Sequence, residues 1–165
     1  MNDDALAASL AGHLDALTFA DRSTDEVTAL LVDAVAAWGA TQGFRVYRRA
    51  TSVVPLPAPY QTRHSIVDVA CARPTGRPIV IEVDRTDRRR TVEKLLAEAE
   101  AGRVALWVRW GPGPFAAPPA PIRLVTCEVA VRNHRHSRLP ARPAPQHSAP
   151  AGATAEPVEL PLTAD

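Results

Sequence analysis

The sequence has few of the residues that would assign it to several common protein classes. Its two cysteines, Cys71 and Cys127, lie in strand-like segments without C-x-x-C spacing, so we expect small buried residues rather than a zinc site or disulfide. There is no run of about 18 apolar residues and no signal peptide, so we expect a soluble cytoplasmic protein that does not enter a membrane. Aromatic residues make up only 5% of the chain, so the core must be built largely from Val, Leu, Ile and Ala.

Lysine is also scarce, and the charges are unevenly distributed. Eighteen of the nineteen basic residues are arginine, and the exception is Lys94. Residues 1–40 carry seven acidic residues and one basic residue, whereas residues 41–110 carry thirteen basic and seven acidic residues. The basic segment also contains a cluster of acids. Carboxylates surrounded by arginine suit a metal-dependent phosphodiesterase, because carboxylates hold a cation and guanidinium groups hold phosphates.

The acidic cluster arises from a predicted β-hairpin. The segments 65–70 and 78–84 are short, rich in Val and Ile, and separated by the turn-forming sequence Arg-Pro-Thr-Gly-Arg-Pro. If Ala72 faces Pro78, then Asp68 lies directly opposite Glu82. Because side chains alternate between the faces of a strand, Glu82 and Asp84 share a face with Asp68.

Three carboxylates on one patch of a sheet repel one another and destabilise it. A divalent cation, a shared proton or nearby arginines would offset that repulsion. The opposite face of the second strand, formed by Ile79, Ile81 and Val83, is wholly apolar and predicts a core position.

These residues resemble the PD-(D/E)XK nuclease superfamily, which has the restriction-endonuclease-like fold. Asp68 matches the first motif acid and Glu82 the second, while Asp84 stands where the motif lysine is expected. The resemblance implies an α/β fold with an α-β-β-β-α-β core and a mixed sheet. It also implies phosphodiester cleavage with Mg²⁺ or Mn²⁺, held here by Asp68, Glu82 and Asp84, which are also the candidate catalytic residues.

Elements around the hairpin complete the predicted organisation. Residues 1–22 predict an appended N-terminal helix that packs on the core or on a partner chain, which would allow a homodimer. Residues 23–132 predict the nuclease-like domain, and its first helix opens with a capping box at Ser23 and Glu26. Residues 133–165 are rich in Pro, Ala, His and Arg and predict a disordered tail.

Several further residues are candidates for the site. In the resembled fold the first helix can contribute a carboxylate, for which Glu26 and Asp33 are available. Arg85 and Arg88 follow the second hairpin strand and are candidate phosphate contacts. The helical phase of residues 92–99 turns Lys94 away from the apolar stripe, so we expect it to pair with Glu98 on the solvent side.

The sequence therefore predicts a metal-dependent nuclease that hydrolyses DNA, with RNA not excluded. Two other interpretations remain open at this point. Because Asp84 replaces the motif lysine, the first alternative is an inactive nuclease-like module that still binds DNA. An adaptor whose acidic face docks a basic partner protein is the third interpretation.

Overall fold

The computed structural model describes residues 1–140. In these residues the chain forms three α-helices, which are α1 (Asp3–Asp15), α2 (Thr24–Thr41) and α3 (Arg89–Glu100). The strands are β1 (Phe19–Arg22), β2 (Arg45–Pro55), β3 (His64–Ala72), β4 (Ile79–Asp84), β5 (Val104–Gly111), β6 (Arg123–Glu128), β7 (Ala130–Arg132) and β8 (Arg135–Arg138). Within this part of the chain, no helix combines the length and the apolar character needed to cross a membrane.

The central sheet is mixed and has the strand order β2-β3-β4-β5-β6. The first three strands are antiparallel neighbours, whereas β5 runs parallel to β4 and β6 runs parallel to β5. Parallel neighbours need a long crossover, and α3 supplies it between β4 and β5. The predicted α/β class, the mixed sheet and the order helix, three strands, helix, strand are confirmed.

The two faces of β4 have different partners, and this difference positions the acids. Ile79, Ile81 and Val83 belong to the apolar core that includes α1 and α2. On the other face, Val80 packs with Leu95 of α3 in a second apolar cluster. Every residue of β4 is buried, so the alternation places Glu82 and Asp84 on the α3 side.

The first helix packs on the core of its own chain. Leu6, Leu10 and Leu14 are almost fully buried in the same cluster as the strand residues, and burial of each leucine contributes roughly 1.5–3 kcal/mol. Asn2 caps the helix by accepting a hydrogen bond from the Ala5 amide at 2.8 Å. Of the two predicted packing partners, α1 therefore packs on the core. Its three leucines are buried by residues of the same chain.

A second, smaller sheet corrects the predicted tail. Strands β1, β8 and β7 form this sheet, and the β7–β8 hairpin turns at Asn133 and His134, whose φ angles are 49° and 60°. His136 on β8 is 1% exposed, and its Nε2 lies 3.1 Å from the hydroxyl of Thr24. The prediction that disorder begins at residue 133 is wrong for residues 133–138. The part of the predicted tail from residue 141 onward lies outside the described residues.

Candidate functional site

A cavity of about 670 Å³ is lined by Asp68, Glu82 and Asp84 together. Strand β3 pairs with β4 from Val69–Ile81 to Cys71–Ile79. Continuing this register by one residue places Asp68 opposite Glu82, as the sequence predicted. The remaining wall comes from the amino end of α2, from the segment that leads into α3 and from the first turns of α3. Its residues include Thr24, Asp25, Arg85, Arg88, Arg90 and Lys94.

The pairing of β3 with β4 ends next to the three acids. The antiparallel pairing extends only to Val69 and Ile81. Beyond that point the amide of Val83 donates a hydrogen bond to Oδ2 of Asp68 at 2.8 Å. The Asp68 side chain thus satisfies a backbone donor of the neighbouring strand, which fixes the carboxylate at the separation of the two strands.

Lys94 of α3 reaches into this cavity. Its Nζ lies 2.6 Å from Oε1 of Glu82 and also donates to the carbonyl oxygen of Ile66 at 2.6 Å. The side chains of Lys94 and Glu82 are only 11% and 8% exposed. The prediction that Lys94 lies on the solvent side and pairs with Glu98 is therefore wrong. Lys94, which belongs to the helix that follows β4, therefore lies beside Glu82.

The error in the helix phase has a physical cause. The buried residues of α3 are Thr91, Leu95 and Glu98, so two polar residues lie on the inward face. Glu98 is fully buried and accepts hydrogen bonds from the Ser52 hydroxyl at 2.5 Å and from Arg103 at 2.5 Å. The apolar residues of α3 alone define a face that is rotated from the one that is buried. Measured from that apolar face, Lys94 is expected to point to solvent.

Asp84 is oriented by a buried tryptophan. The indole Nε1 of Trp107 donates to Oδ2 of Asp84 at 3.0 Å, and both residues are buried. The other oxygen, Oδ1, lies 3.6 Å from Nε of Arg88, a distance of ionic attraction rather than hydrogen bonding. Asp84 is thus held as an acceptor with one oxygen turned toward the arginine-lined side of the cavity.

The electrostatics of the site favour an additional positive charge. Burial raises the pKa of Glu82 to about 7, and the charges of Asp68 and Asp84 act in the same direction, while the hydrogen bond from Lys94 opposes them. Burial also raises the pKa of Asp68, although the hydrogen bond from the Val83 amide lowers it. A cation between these carboxylates would favour their ionised forms.

The donor set fits a hard divalent cation that keeps part of its water shell. Each carboxylate uses one oxygen for a protein donor, namely the Val83 amide, Lys94 or Trp107. The opposite oxygens accept no hydrogen bond from residues 1–140. No three His, Cys, Asp or Glu side chains in that range form a ready metal-ligand group, whereas Mg²⁺ in such sites needs only one or two carboxylates plus water and substrate phosphate.

The other predicted site residues have different outcomes. Arg85 and Arg88 both line the cavity, and their contact with phosphate stays a prediction. Glu26 completes the capping box of α2 by accepting from the Ser23 amide at 2.7 Å. Asp33 pairs with Arg48 on the surface. Neither Glu26 nor Asp33 is among the residues that line the cavity.

Comparison of the chain with protein-family models, with curated proteins and with solved structures found no match.

Sequence reasoning placed Lys94 on the wrong face of its helix and missed the contact of Trp107 with Asp84. Lys94 carried a signal, since it is the one lysine in an arginine-rich sequence. Trp107 carried none, because a tryptophan within an apolar strand indicates only a core position. Its bond to Asp84 depends on the parallel pairing of Glu82 with Trp107 across β4 and β5.

Proposed function

We propose that this protein is a metal-dependent nuclease that hydrolyses phosphodiester bonds of DNA, and that it is a variant of the PD-(D/E)XK type. The observation that supports this proposal best is the contact of 2.6 Å between Lys94 and Glu82 in the cavity that Asp68 and Asp84 also line. Two acids on adjacent antiparallel strands and a nearby amine are the functional groups of the motif. The amine comes from α3 rather than from the position of Asp84.

Asp68 and Glu82 would hold Mg²⁺ or Mn²⁺, and Asp84 would lie beside them as the third acid of the cavity. When bound, such an ion polarises the phosphate, lowers the pKa of an attacking water and neutralises developing negative charge. The protein residues would hold the substrate and the water in place around that ion.

Lys94 is suited to act on the substrate itself. Its ammonium group has three protons, of which the structure commits one to Glu82 and one to the Ile66 carbonyl. The third remains to donate to a phosphate oxygen or to the attacking water. Because the ammonium group lies in a buried, low-dielectric setting, its interaction with a developing negative charge is stronger than it would be in water.

Arginines on one side of the same cavity would hold the polyanion. Arg85, Arg88 and Arg90 line it, and Arg88 is 67% exposed in its side chain. Exposed guanidinium groups beside an acidic centre position a phosphate backbone without reading sequence. The excess of basic residues in the segment 41–110 is consistent with this role.

The deciding experiment compares wild type with Asp68→Asn on supercoiled and linear DNA, with Mg²⁺, Mn²⁺ or EDTA, and with a parallel RNA substrate. Asparagine can still accept from the Val83 amide, so the fold should persist while the charge is lost. We expect metal-dependent cleavage by wild type and loss of at least 100-fold in the variant. Binding without cleavage would instead support the inactive DNA-binding module, and neither binding nor cleavage would support the adaptor.

A further inference from the structure

Arg109 is a buried arginine whose hydrogen-bonding groups are not used within the described fold. Only 6% of the residue is exposed, and neither its Nε nor its Nη1 has a hydrogen-bond partner in residues 1–140. Its nearest ionic partner is Asp87, whose Oδ1 lies 3.8 Å from Nη1, beyond hydrogen-bonding distance. A buried guanidinium group with free donors is unfavourable unless an anion or water satisfies it.

The position of Arg109 connects it to the acidic cavity. It pairs with Asp84 in the register of β4 and β5, and its guanidinium group lies 4.7 Å from the centre of the Trp107 ring. The same indole donates its Nε1 hydrogen to Asp84. Arg109 therefore stacks on the indole that binds Asp84, beside the acidic cavity.

The ionic neighbour of Arg109 lies at a helix end that lacks a cap. Asp87, its partner, comes directly before Arg88, the residue at the N-cap of α3. Arg88 makes no side-chain capping hydrogen bond, and the first turn of α3 contains no acidic residue. Uncapped amide groups at the start of a helix attract negative charge, and the buried arginine with unused donors lies 3.8 Å from the aspartate that precedes this turn.

We infer that Arg109 and the uncapped amino end of α3 form a binding site for a phosphate group, and that Asp87 acts as a substitute anion while the site is free of phosphate. In the nuclease proposed above, on which this inference rests, the ligand is a backbone phosphate next to the one that is cleaved. Asp87 is 61% exposed and can leave toward solvent when a phosphate enters. Arg109 would then position the nucleic acid without touching the reacting atoms.

The test measures binding of a short fluorescent DNA duplex by anisotropy in EDTA, so that cleavage does not interfere. The variants are Asp87→Asn, Arg109→Met, the double variant, and Asp33→Asn as a charge-matched control on an exposed aspartate that pairs with another arginine. We expect Asp87→Asn to bind more tightly than Asp33→Asn. We expect Arg109→Met to lose roughly tenfold in affinity, and its slope of log affinity against log salt to fall by about 0.9.

The double variant decides whether Asp87 acts through Arg109. If it does, the gain from Asp87→Asn should disappear in the Arg109→Met background. A gain that persists there, or that equals the gain from Asp33→Asn, would show a general charge effect and overturn the inference. Asp87 is exposed, so its variant should fold even if Arg109→Met does not.

A second arm distinguishes a backbone phosphate from a small phosphate ligand. Thermal unfolding of Asp87→Asn and of the double variant is measured with inorganic phosphate and with chloride at equal ionic strength. Stabilisation by phosphate that requires Arg109, without an effect of Arg109 on duplex binding, would assign the site to a small ligand. If wild type cleaves DNA but Arg109 affects neither assay, the inference fails and the nuclease proposal stands. If the protein never cleaves but phosphate binding requires Arg109, the site stands without the nuclease.

Discussion

Replacing Glu82 by Gln removes a carboxyl group whose pKa is raised from 4.5 to about 7 in the folded protein. Between these two pH values the folded state binds more protons at this position than the unfolded state does. The free energy of unfolding therefore falls as the pH rises from about 4.5 to about 7, and the penalty is complete above that interval. At about 1.4 kcal/mol for each pKa unit, ionised Glu82 costs the metal-free fold roughly 3 kcal/mol.

The variant should remove this pH dependence while keeping a partner for Lys94. The amide oxygen of Gln can still accept the hydrogen bond that Glu82 now accepts at 2.6 Å. With about 2–4 °C of Tm for each kcal/mol in a chain of this size, the Tm difference between variant and wild type should change by roughly 6–12 °C from pH 4.5 to pH 8. The change should favour the variant at pH 8.

The assay is thermal unfolding in EDTA across that pH range, repeated with Mg²⁺ or Mn²⁺. The quantity compared is how the Tm difference between variant and wild type changes with pH. If Gln pairs more weakly with Lys94, the resulting loss of Tm is the same at both pH values and cancels. A divalent ion should raise the Tm of wild type at pH 8 by linkage and have little effect on Glu82→Gln. A Tm difference that is the same at both pH values would refute the argument that Glu82 is a strained, ionisable member of the site.

Three further substitutions test other parts of the site. Lys94→Met should reduce cleavage by roughly 100-fold or more, because the charge acts on the transition state, while duplex affinity measured by anisotropy falls little; unchanged cleavage would remove Lys94 from the proposed mechanism. Trp107→Phe leaves Oδ2 of Asp84 without its donor, so it should lower kcat with a stability loss of roughly 1–3 kcal/mol in urea unfolding; an unaltered kcat would limit Trp107 to the core. Glu98→Ala leaves Arg103 and Ser52 without their buried partner and should cost roughly 3–5 kcal/mol by the same measurement; a loss below about 1 kcal/mol would contradict the buried pair.

The hairpin and its acids were predictable because local rules agree there. Alternation of apolar and polar residues fixes the faces, and the assumed pairing of Ala72 with Pro78 then places Asp68 opposite Glu82. The predicted register is the one observed for Cys71 and Ile79. The end of the β3–β4 pairing at this point was not predictable, since the Asp68 side chain there accepts the hydrogen bond of the Val83 amide.

Two other features were beyond pattern reasoning. The inward face of α3 contains Glu98, whose burial depends on Ser52 of a strand that is 46 positions earlier in the chain. The β7–β8 hairpin turns through Asn133 and His134 with positive φ angles, which suit a two-residue turn but are normally indicated by Asn-Gly. In both cases tertiary contacts outweigh the local composition.

The buried Glu98 has a further consequence for the geometry of α3. Lys94 and Glu98 are one helical turn apart, and Glu98 is fixed to β2 and to Arg103. Since each residue of an α-helix advances the side-chain direction by about 100°, the anchored glutamate sets the angular position of the lysine. Inserting one alanine between them would preserve the net charge and the helix propensity, yet it would rotate Lys94 out of the cavity. The four-residue spacing of Lys94 and Glu98 therefore determines where the lysine lies. Homologues that keep this site should conserve that spacing more strictly than the identity of the residues between them.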